Sequence, residues 1–270
     1  MTRTNPRNIV ARGLAAILLA ACAALPLQAS AAATVDYSDL WFNPSEAGWG
    51  ANVIQQDDTL FVTLFVYGTS SQPTWYVASS VQRVGTGQIF SGTLYRTRGP
   101  YFGGAFTPGA VEVTPVGTLT FTASRSSAAT LAYSVDGVPV SKSVVRQTWG
   151  TENIAGSYLG AFSGTWSNCG AGRDGYQENI ATFQVSQDGI AIQIREDGAN
   201  YTCNYVGSYA QSGRMGTIAG GGICSDGINQ TFSASDVQMT RAAIGMQVVF
   251  GQAGACRFTG RMGAVRRGPP

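Results

Sequence analysis

Few residues in this chain could do chemistry, and the strongest candidates are carboxylates. The chain contains no histidine, so Ser–His and Cys–His arrangements lack their usual general base. Glycoside hydrolysis needs only two carboxyl groups, and the formal pairs are Glu46 with Asp39 and Glu178 with Asp174. Nothing in their spacing makes either pair converge. The sequence favours a non-catalytic protein with no assigned catalytic residue, and a carboxylate-based glycoside hydrolase is the weaker alternative.

Four cysteines in the second half of the chain are the next candidates for chemistry. Without histidine or a C-x-x-C pair, Cys169, Cys203, Cys224 and Cys256 are poor zinc ligands. An even set in an exported chain is typical of two disulfides, for which three pairings are open. We favour Cys203 with Cys224, joining neighbouring strands, and Cys169 with Cys256, tying the ends of the domain. The glycine run at 220–222 precedes no helix and is no phosphate loop. We expect no cofactor and no metal.

An unusual concentration of aromatic residues lies in the first half of the chain. Its segments are LWFNPSEAGWG at 40–50, LFVTLFVY at 60–67 and QPTWYV at 72–77. In one interpretation Trp41, Trp49 and Trp75 plug one end of a β-barrel, because aromatic side chains bury large areas. Glu46 would then cap backbone donors or pair with an arginine. This structural interpretation is the one that we favour.

The same residues permit a functional interpretation. Trp41, Trp49, Trp75 and Tyr76 would form a stacking platform for a sugar or peptide ligand, and Glu46 would accept a hydrogen bond from it. These five residues are the ligand-binding candidates of the sequence.

These segments resemble a family of uncharacterised secreted proteobacterial β-domains with the pattern W-x-x-P-x-E-x-G-W-G, then F-x-x-x-F-x-Y, then P-x-W-Y. The pattern falls on Trp41, Pro44, Glu46, Gly48, Trp49, Gly50, Phe61, Phe65, Tyr67, Pro73, Trp75 and Tyr76. The resemblance covers residues 41–149 and implies an extracellular module of the kind sometimes attached to secreted hydrolases. It implies no specific activity, and the cysteine-bearing half resembles no family.

The N-terminal segment predicts export. Three arginines within the first twelve residues precede an apolar run at 13–25, then Pro26 and the small residues at 29–31. This order is typical of a signal peptide, and we place cleavage after Ala31, with Ala33 as the alternative. The apolar run is too short to anchor the chain as a membrane-spanning helix. LAAC at 19–22 offers another route, in which lipidation of Cys22 would make an outer-membrane lipoprotein. The protein is therefore expected to be secreted or periplasmic, with no transmembrane segment after cleavage.

The charge of the mature chain argues against nucleic acid as a partner. Beyond the signal, 14 basic residues face 15 acidic ones, and Lys142 is the only lysine. Such a balance provides no basic surface for phosphates. A cell-surface glycan, peptidoglycan or another secreted protein is the expected partner.

Alternating apolar residues and turn dipeptides predict two all-β domains, 32–149 and 150–270, after a signal at 1–31. Each should hold seven or eight antiparallel strands in a meander barrel or sandwich. Asp136-Gly137, Asp188-Gly189 and Asp197-Gly198 predict hairpin turns. The segment 60–67 is apolar on both faces, which predicts a central strand covered on both sides.

Taken together, these features predict a secreted non-catalytic binding or cell-surface interaction module. The alternative is a secreted inhibitor or accessory of a hydrolase. Its candidate reactive edges are Asn168-Cys169-Gly170 and a glycine-rich loop at 219–222, because rigid loops lower the entropic cost of association.

Overall fold

Two consecutive eight-stranded barrels make up the computed structural model, which describes residues 35–170 and 172–268. The strands of the first barrel are β1 Asp39–Phe42, β2 Gly50–Gln56, β3 Thr59–Tyr67, β4 Pro73–Arg83, β5 Ile89–Arg98, β6 Glu112–Arg125, β7 Ala128–Val135 and β8 Val138–Arg146. Those of the second are β9 Gly156–Ser167, β10 Gly175–Asp188, β11 Ala191–Asp197, β12 Thr202–Ser212, β13 Met215–Cys224, β14 Asn229–Met239, β15 Ala243–Phe250 and β16 Arg257–Arg266. The predicted all-β fold of two consecutive antiparallel meander barrels is confirmed.

Each barrel closes by pairing its first strand with its last. In the first, β1 pairs with β8 through Trp41 opposite Arg146. In the second, β9 pairs with β16 over ten residue pairs. Closure leaves no free sheet edge, so every strand has two neighbours. The one helical element among the described residues is a 3-10 turn, Pro108–Ala110.

Alternation of side chains builds the core of the first barrel. On β3, Leu60, Val62 and Leu64 point inward and are fully buried, as a period of two requires. Aromatic rings fill one end of this interior, with the Trp41 and Phe121 centroids 5.0 Å apart.

The chain reverses at all three predicted turns, and one of them is formed by the predicted dipeptide. Asp136 and Gly137 connect β7 to β8 with φ angles of 50° and 83°. Two positive φ values are the signature of the type I′ turn, whose twist matches that of the flanking strands. Asp188 and Asp197 instead end their strands, so β10 and β11 are joined by residues 189–190, and β11 and β12 by residues 198–201.

Two disulfides staple the second barrel, in the pairing that we favoured from sequence. Cys203 lies directly opposite Cys224 in the β12–β13 ladder, and the two are bonded. Cys169, just after β9, is bonded to Cys256, just before β16, across a separation of 87 residues. The disulfides therefore join strands that are already neighbours in the closed barrel.

A buried arginine ties the end of the first barrel to the second. The Arg146 guanidinium donates hydrogen bonds to the backbone carbonyls of Asp36, Ser38 and Ser126 and to the Asp39 carboxylate. The same carboxylate accepts the backbone N–H of Arg214, in the β12–β13 turn, at 2.9 Å. One ion pair thus contributes to both barrels.

The predicted signal at 1–31 and the alternative lipidation site Cys22 lie outside the described residues. Within the described residues, no helix has the length and apolar character needed to cross a membrane.

Candidate functional site

The motif tryptophan on β1 is a core residue. Trp41 is fully buried, and its indole N–H donates to the Tyr37 carbonyl at 3.0 Å. The Arg146 guanidinium lies 5.0 Å from the centre of its ring. Trp41 therefore has no surface to offer a ligand.

The loop between β1 and β2 holds the motif glutamate in a small polar cluster. Lys142 Nζ lies 2.8 Å from Glu46 Oε2, and the Trp49 indole N–H donates to the same oxygen at 3.1 Å. The Lys142 ammonium, helped by the indole, lowers the pKa of the Glu46 carboxyl below its usual range. The partner of Glu46 is thus a lysine, whereas the sequence interpretation offered backbone donors or an arginine. Trp49 is partly buried and packs against the core.

Trp75 and Tyr76 are adjacent on β4 and therefore point to opposite faces of the sheet. Tyr76 points inward and is 9% exposed, whereas Trp75 points outward and is 48% exposed. Of the five sequence candidates, Trp41 and Tyr76 belong to the interior, Glu46 and Trp49 share the β1–β2 loop, and Trp75 stands outside. The structure does not bring them onto one platform, nor does Trp75 belong to a plug.

Trp75 is instead part of a surface that the sequence interpretation missed. Phe61, Phe65 and Tyr67 on the outer side of β3 join it, and we call these four residues the outer aromatic face. Their exposed fractions are 40%, 49% and 59%, beside 48% for Trp75. The expectation that β3 is covered on both sides is wrong, since only its inner side is buried. No element among the described residues packs over the outer side.

The strand register places the outer aromatic face in a strip along β3, interrupted by the outward Thr63 between Phe61 and Phe65. Phe65 lies directly opposite Trp75 across the β3–β4 ladder. On the other side of β3, Phe61 lies opposite Ile54, which is itself 48% exposed. Side chains directly opposite each other in antiparallel strands have Cβ atoms about 5 Å apart. The strip therefore consists of two apolar pairs on three strands, separated by Thr63 and its partner Asn52.

The motif loop borders this strip. A Cβ built on Gly48 would lie 3.7 Å from the Tyr67 hydroxyl, and Gly48 adopts a φ of 116° that favours glycine. Glu46 lies two residues earlier in the same loop. The motif thus needs glycine at position 48 for its backbone conformation, and the loop contacts the aromatic strip at Tyr67.

Further exposed aromatics lie at the same end of the first barrel. Strands alternate in direction, so the β1–β2, β3–β4 and β5–β6 loops all open at one end. The β5–β6 loop carries Tyr101, Phe102 and Phe106, with exposed fractions of 71%, 95% and 71%. The loop end of the first barrel is rich in rings that contact solvent.

The formal carboxylate pairs each have structural partners. Asp39 is engaged by buried Arg146. Asp174 accepts the backbone N–H of Cys169 at 2.7 Å, and Glu178 accepts the Tyr176 hydroxyl at 2.5 Å. These contacts stabilise turns and strands, and each carboxylate is bound to its own partner.

A buried carboxylate in the second barrel is a second feature that the sequence interpretation missed. Glu196 is 3% exposed, and it accepts hydrogen bonds from the Tyr201 hydroxyl at 2.6 Å and the Tyr205 hydroxyl at 3.2 Å. Burial raises the pKa of Glu196, and the two tyrosine hydrogen bonds offset part of that rise. Burial and the nearby carboxylate also raise the pKa of both tyrosines.

The cavity that Glu196 adjoins is small and otherwise apolar. Its volume is about 30 Å³, enough for a water molecule or two. A signal for this site was present in the sequence, because the alternation of Ile192 and Ile194 continues to Glu196 and so predicts an inward carboxylate.

The two edges proposed for an inhibitor differ in the structure. Asn168 and Gly170 form a turn with φ angles of 59° and 93° around the disulfide-bonded Cys169. Residues 219–222, by contrast, lie inside β13 and pair with both β12 and β14. The expected glycine-rich loop is a strand, so it provides no reactive edge.

Comparisons with known proteins add little. No family model matches the chain, and no curated protein matches it. A crystal structure of a protein with unknown function from the DUF3598 family of Nostoc punctiforme is 9% identical and covers 84% of this chain and 93% of its own, with a TM-score of 0.25. A TM-score this low does not indicate a shared fold. The resemblance noted from the aromatic motif remains a prediction.

Proposed function

We propose that this protein is a secreted, non-catalytic binding module that holds a cell-surface glycan on the outer aromatic face. The observation that carries the proposal is the exposed strip of Phe61, Phe65, Tyr67 and Trp75 on β3 and β4. Exposed aromatic residues grouped on one wall of a protein commonly mark an interaction surface.

The chemistry of the strip suits a polysaccharide. The C–H groups on one face of a pyranose ring are apolar and pack against an aromatic face, while the hydroxyl groups at the edge of the sugar stay hydrated. Rings spaced along the strip would each hold a sugar unit of one chain.

Export is part of the proposal. The N-terminal segment has the pattern of a signal peptide, and two disulfides are present in the second barrel. Disulfides persist in oxidising compartments such as the periplasm and the extracellular space.

A pull-down with insoluble glycans tests the proposal. The mature protein is incubated with peptidoglycan, cellulose and chitin, and the bound fraction is measured against protein concentration. Trp75→Ala removes the largest ring of the strip. Trp149→Ala is the matched control, because Trp149 is a 77% exposed tryptophan outside the strip.

We expect at least one glycan to bind the wild type, with about tenfold weaker binding by Trp75→Ala and unchanged binding by Trp149→Ala. Absence of binding to every glycan, or equal loss in both variants, would overturn the proposal. Sedimentation equilibrium gives an independent check: a wild-type dimer that Trp75→Ala dissociates would assign the strip to self-association instead.

A further inference from the structure

A cleft lies at the mouth of the second barrel. It opens at the end where β9, β13 and β15 finish, and its volume is about 530 Å³. Small-molecule sites are commonly clefts of about 300–1,000 Å³. The cleft is therefore large enough for a ligand of the size of one or two sugar units, unlike the 30 Å³ cavity beside Glu196.

The charge of this cleft is positive. Among the described residues that line it, Arg173 is the one ionisable side chain, and no carboxylate faces the cleft. Arg173 is exposed and forms no ion pair with any described residue. A guanidinium in this position is free to bind a carboxylate through paired N–H donors.

One wall of the cleft is aromatic and held in place. The Trp166 indole N–H donates to Gln177 Oε1 at 2.8 Å, and the ring packs against Phe258 with centroids 5.3 Å apart. Both contacts fix the orientation of the ring at the mouth. A fixed ring suits the apolar face of a sugar, since no rotamer freedom is lost on binding.

The remaining polar groups are mostly neutral side-chain amides. Asn229, Gln230 and Gln252 line the cleft, and each amide carries both donors and acceptors. Hydroxyl groups likewise donate and accept, so amides recognise them without a net charge. The lining thus combines one ring, one cation and several amides.

We propose that this cleft binds an acidic sugar residue, with the pyranose ring on Trp166, the hydroxyls on the amides and the carboxylate on Arg173. The site lies in the second barrel and goes beyond the function proposed for the outer aromatic face. The structure around Cys256 and Cys169 supports it, because the disulfide links the two loops that bear Gln252 and Arg173.

Strand pairing relates the cleft to the buried carboxylate. Gln230 lies opposite Gly222 in the β13–β14 ladder, and Gly222 lies opposite Tyr205 in the β12–β13 ladder. A Cβ on Gly222 would collide with the Tyr205 ring, whose hydroxyl donates to Glu196 at 3.2 Å. Glycine at position 222 therefore leaves room for the ring beside the strand that bears Gln230.

The test is a titration of the mature full chain with D-glucuronate, with neutral D-glucose and acetate as the comparison ligands. Binding is followed by the indole N–H signal of Trp166 in ¹⁵N–¹H spectra, which also reports the place of binding. Arg173→Gln removes the cation. Arg241→Gln is the matched control, because Arg241 is an exposed arginine in the β14–β15 turn at the opposite end of the same barrel.

We expect glucuronate to bind with a dissociation constant on the order of 1 mM. Glucose and acetate should each bind about tenfold more weakly, since each lacks part of the recognised chemistry. Arg173→Gln should weaken glucuronate about tenfold and leave glucose unchanged, whereas Arg241→Gln should change neither.

A glucuronate titration that leaves the Trp166 signal unmoved would overturn the inference, as would equal binding of glucose and glucuronate or an equal effect of the two arginine variants. Trp75→Ala should leave glucuronate binding intact. Failure of the glycan pull-down and failure of this titration are therefore separate outcomes.

Discussion

The two barrels share a topology and an aromatic interior but differ in the aromatic residues that they expose. In the first barrel, large aromatic side chains are exposed on β3, on β4 and in the β5–β6 loop, whereas the second exposes only Tyr176 among the described residues. Both pack rings inside: Trp41 and Phe121 lie 5.0 Å apart in the first, and Phe232 and Phe250 stack with centroids 5.5 Å apart in the second. The same meander can therefore carry an outer surface rich or poor in aromatic residues around an aromatic interior.

The barrels also differ in how they are held together. A buried ion pair between Arg146 and Asp39 closes the end of the first, which contains no cysteine. Two disulfides hold the opposite end of the second. Covalent and ionic contacts respond to different conditions, so reduction and loss of the ion pair should destabilise the two barrels to different extents.

The largest expected effect comes from reduction. Loss of the disulfides should destabilise the second barrel and leave the first unchanged, because all four paired cysteines lie in the second. The chain-entropy model assigns about 4.5 kcal/mol to the longer crosslink and about 3 kcal/mol to the shorter one. Hydrogen–deuterium exchange with and without reductant measures the protection of each barrel separately. The Cys203→Ser, Cys224→Ser variant, which lacks only the shorter crosslink, should lose part of the protection of the second barrel. Equal deprotection of both barrels would contradict the assignment.

The next effect concerns the first barrel. Arg146→Ala should lower its free energy of unfolding by about 3–5 kcal/mol, since the Asp39 carboxylate would remain buried without its partner. Unfolding in guanidinium chloride, followed by tryptophan emission, measures this loss. The emission is a suitable signal because the Arg146 side chain contacts the Trp41 ring. Arg96→Ala is the control, as its ion pair with Asp136 lies at the surface. An Arg146→Ala midpoint equal to that of the control would show that the buried pair is not needed.

A smaller, pH-dependent effect belongs to the second barrel. The pKa of Glu196 is raised in the folded protein, so the folded state holds the proton more tightly than the unfolded chain does. Its contribution to stability is thus fully present below the unfolded pKa, near 4.5, and is lost as the pH rises through the folded pKa. Glu196→Gln should flatten this decline and raise stability at neutral pH. Urea midpoints measured from pH 4 to pH 8 test it, and identical pH profiles for the variant and the wild type would refute it.

The smallest effect is expected on the outer aromatic face. Trp75→Ala should change the free energy of unfolding by less than about 1 kcal/mol, because it removes a solvent-exposed cross-strand pair. Trp41→Ala, which removes a buried ring on the inner side of the barrel, should lower the free energy of unfolding by about 3–5 kcal/mol because it leaves a cavity in the core. Thermal unfolding of the two variants compares them directly. A large loss in Trp75→Ala would show that the strip serves the fold.

Much of the fold was readable from local sequence. Alternation with a period of two identifies a strand, and Asp136-Gly137 identifies a turn, because both depend only on neighbouring residues. The disulfide pairing was favoured but not determined by the sequence, which left three pairings open, and the structure shows the favoured one. The alternation of Ile192, Ile194 and Glu196 is likewise local, and it predicts that Glu196 points into the barrel.

The site required the three-dimensional structure. Residues 60–67 are apolar on both sides, so their alternation cannot say which side faces water, and only barrel closure decides that Phe65 is outside and Leu64 inside. The mouth of the second barrel likewise joins Trp166, Arg173 and Gln230 from segments far apart in the chain. Strand patterns are local, whereas the convergence of side chains depends on the register and closure of the ladders, which distant residues set together.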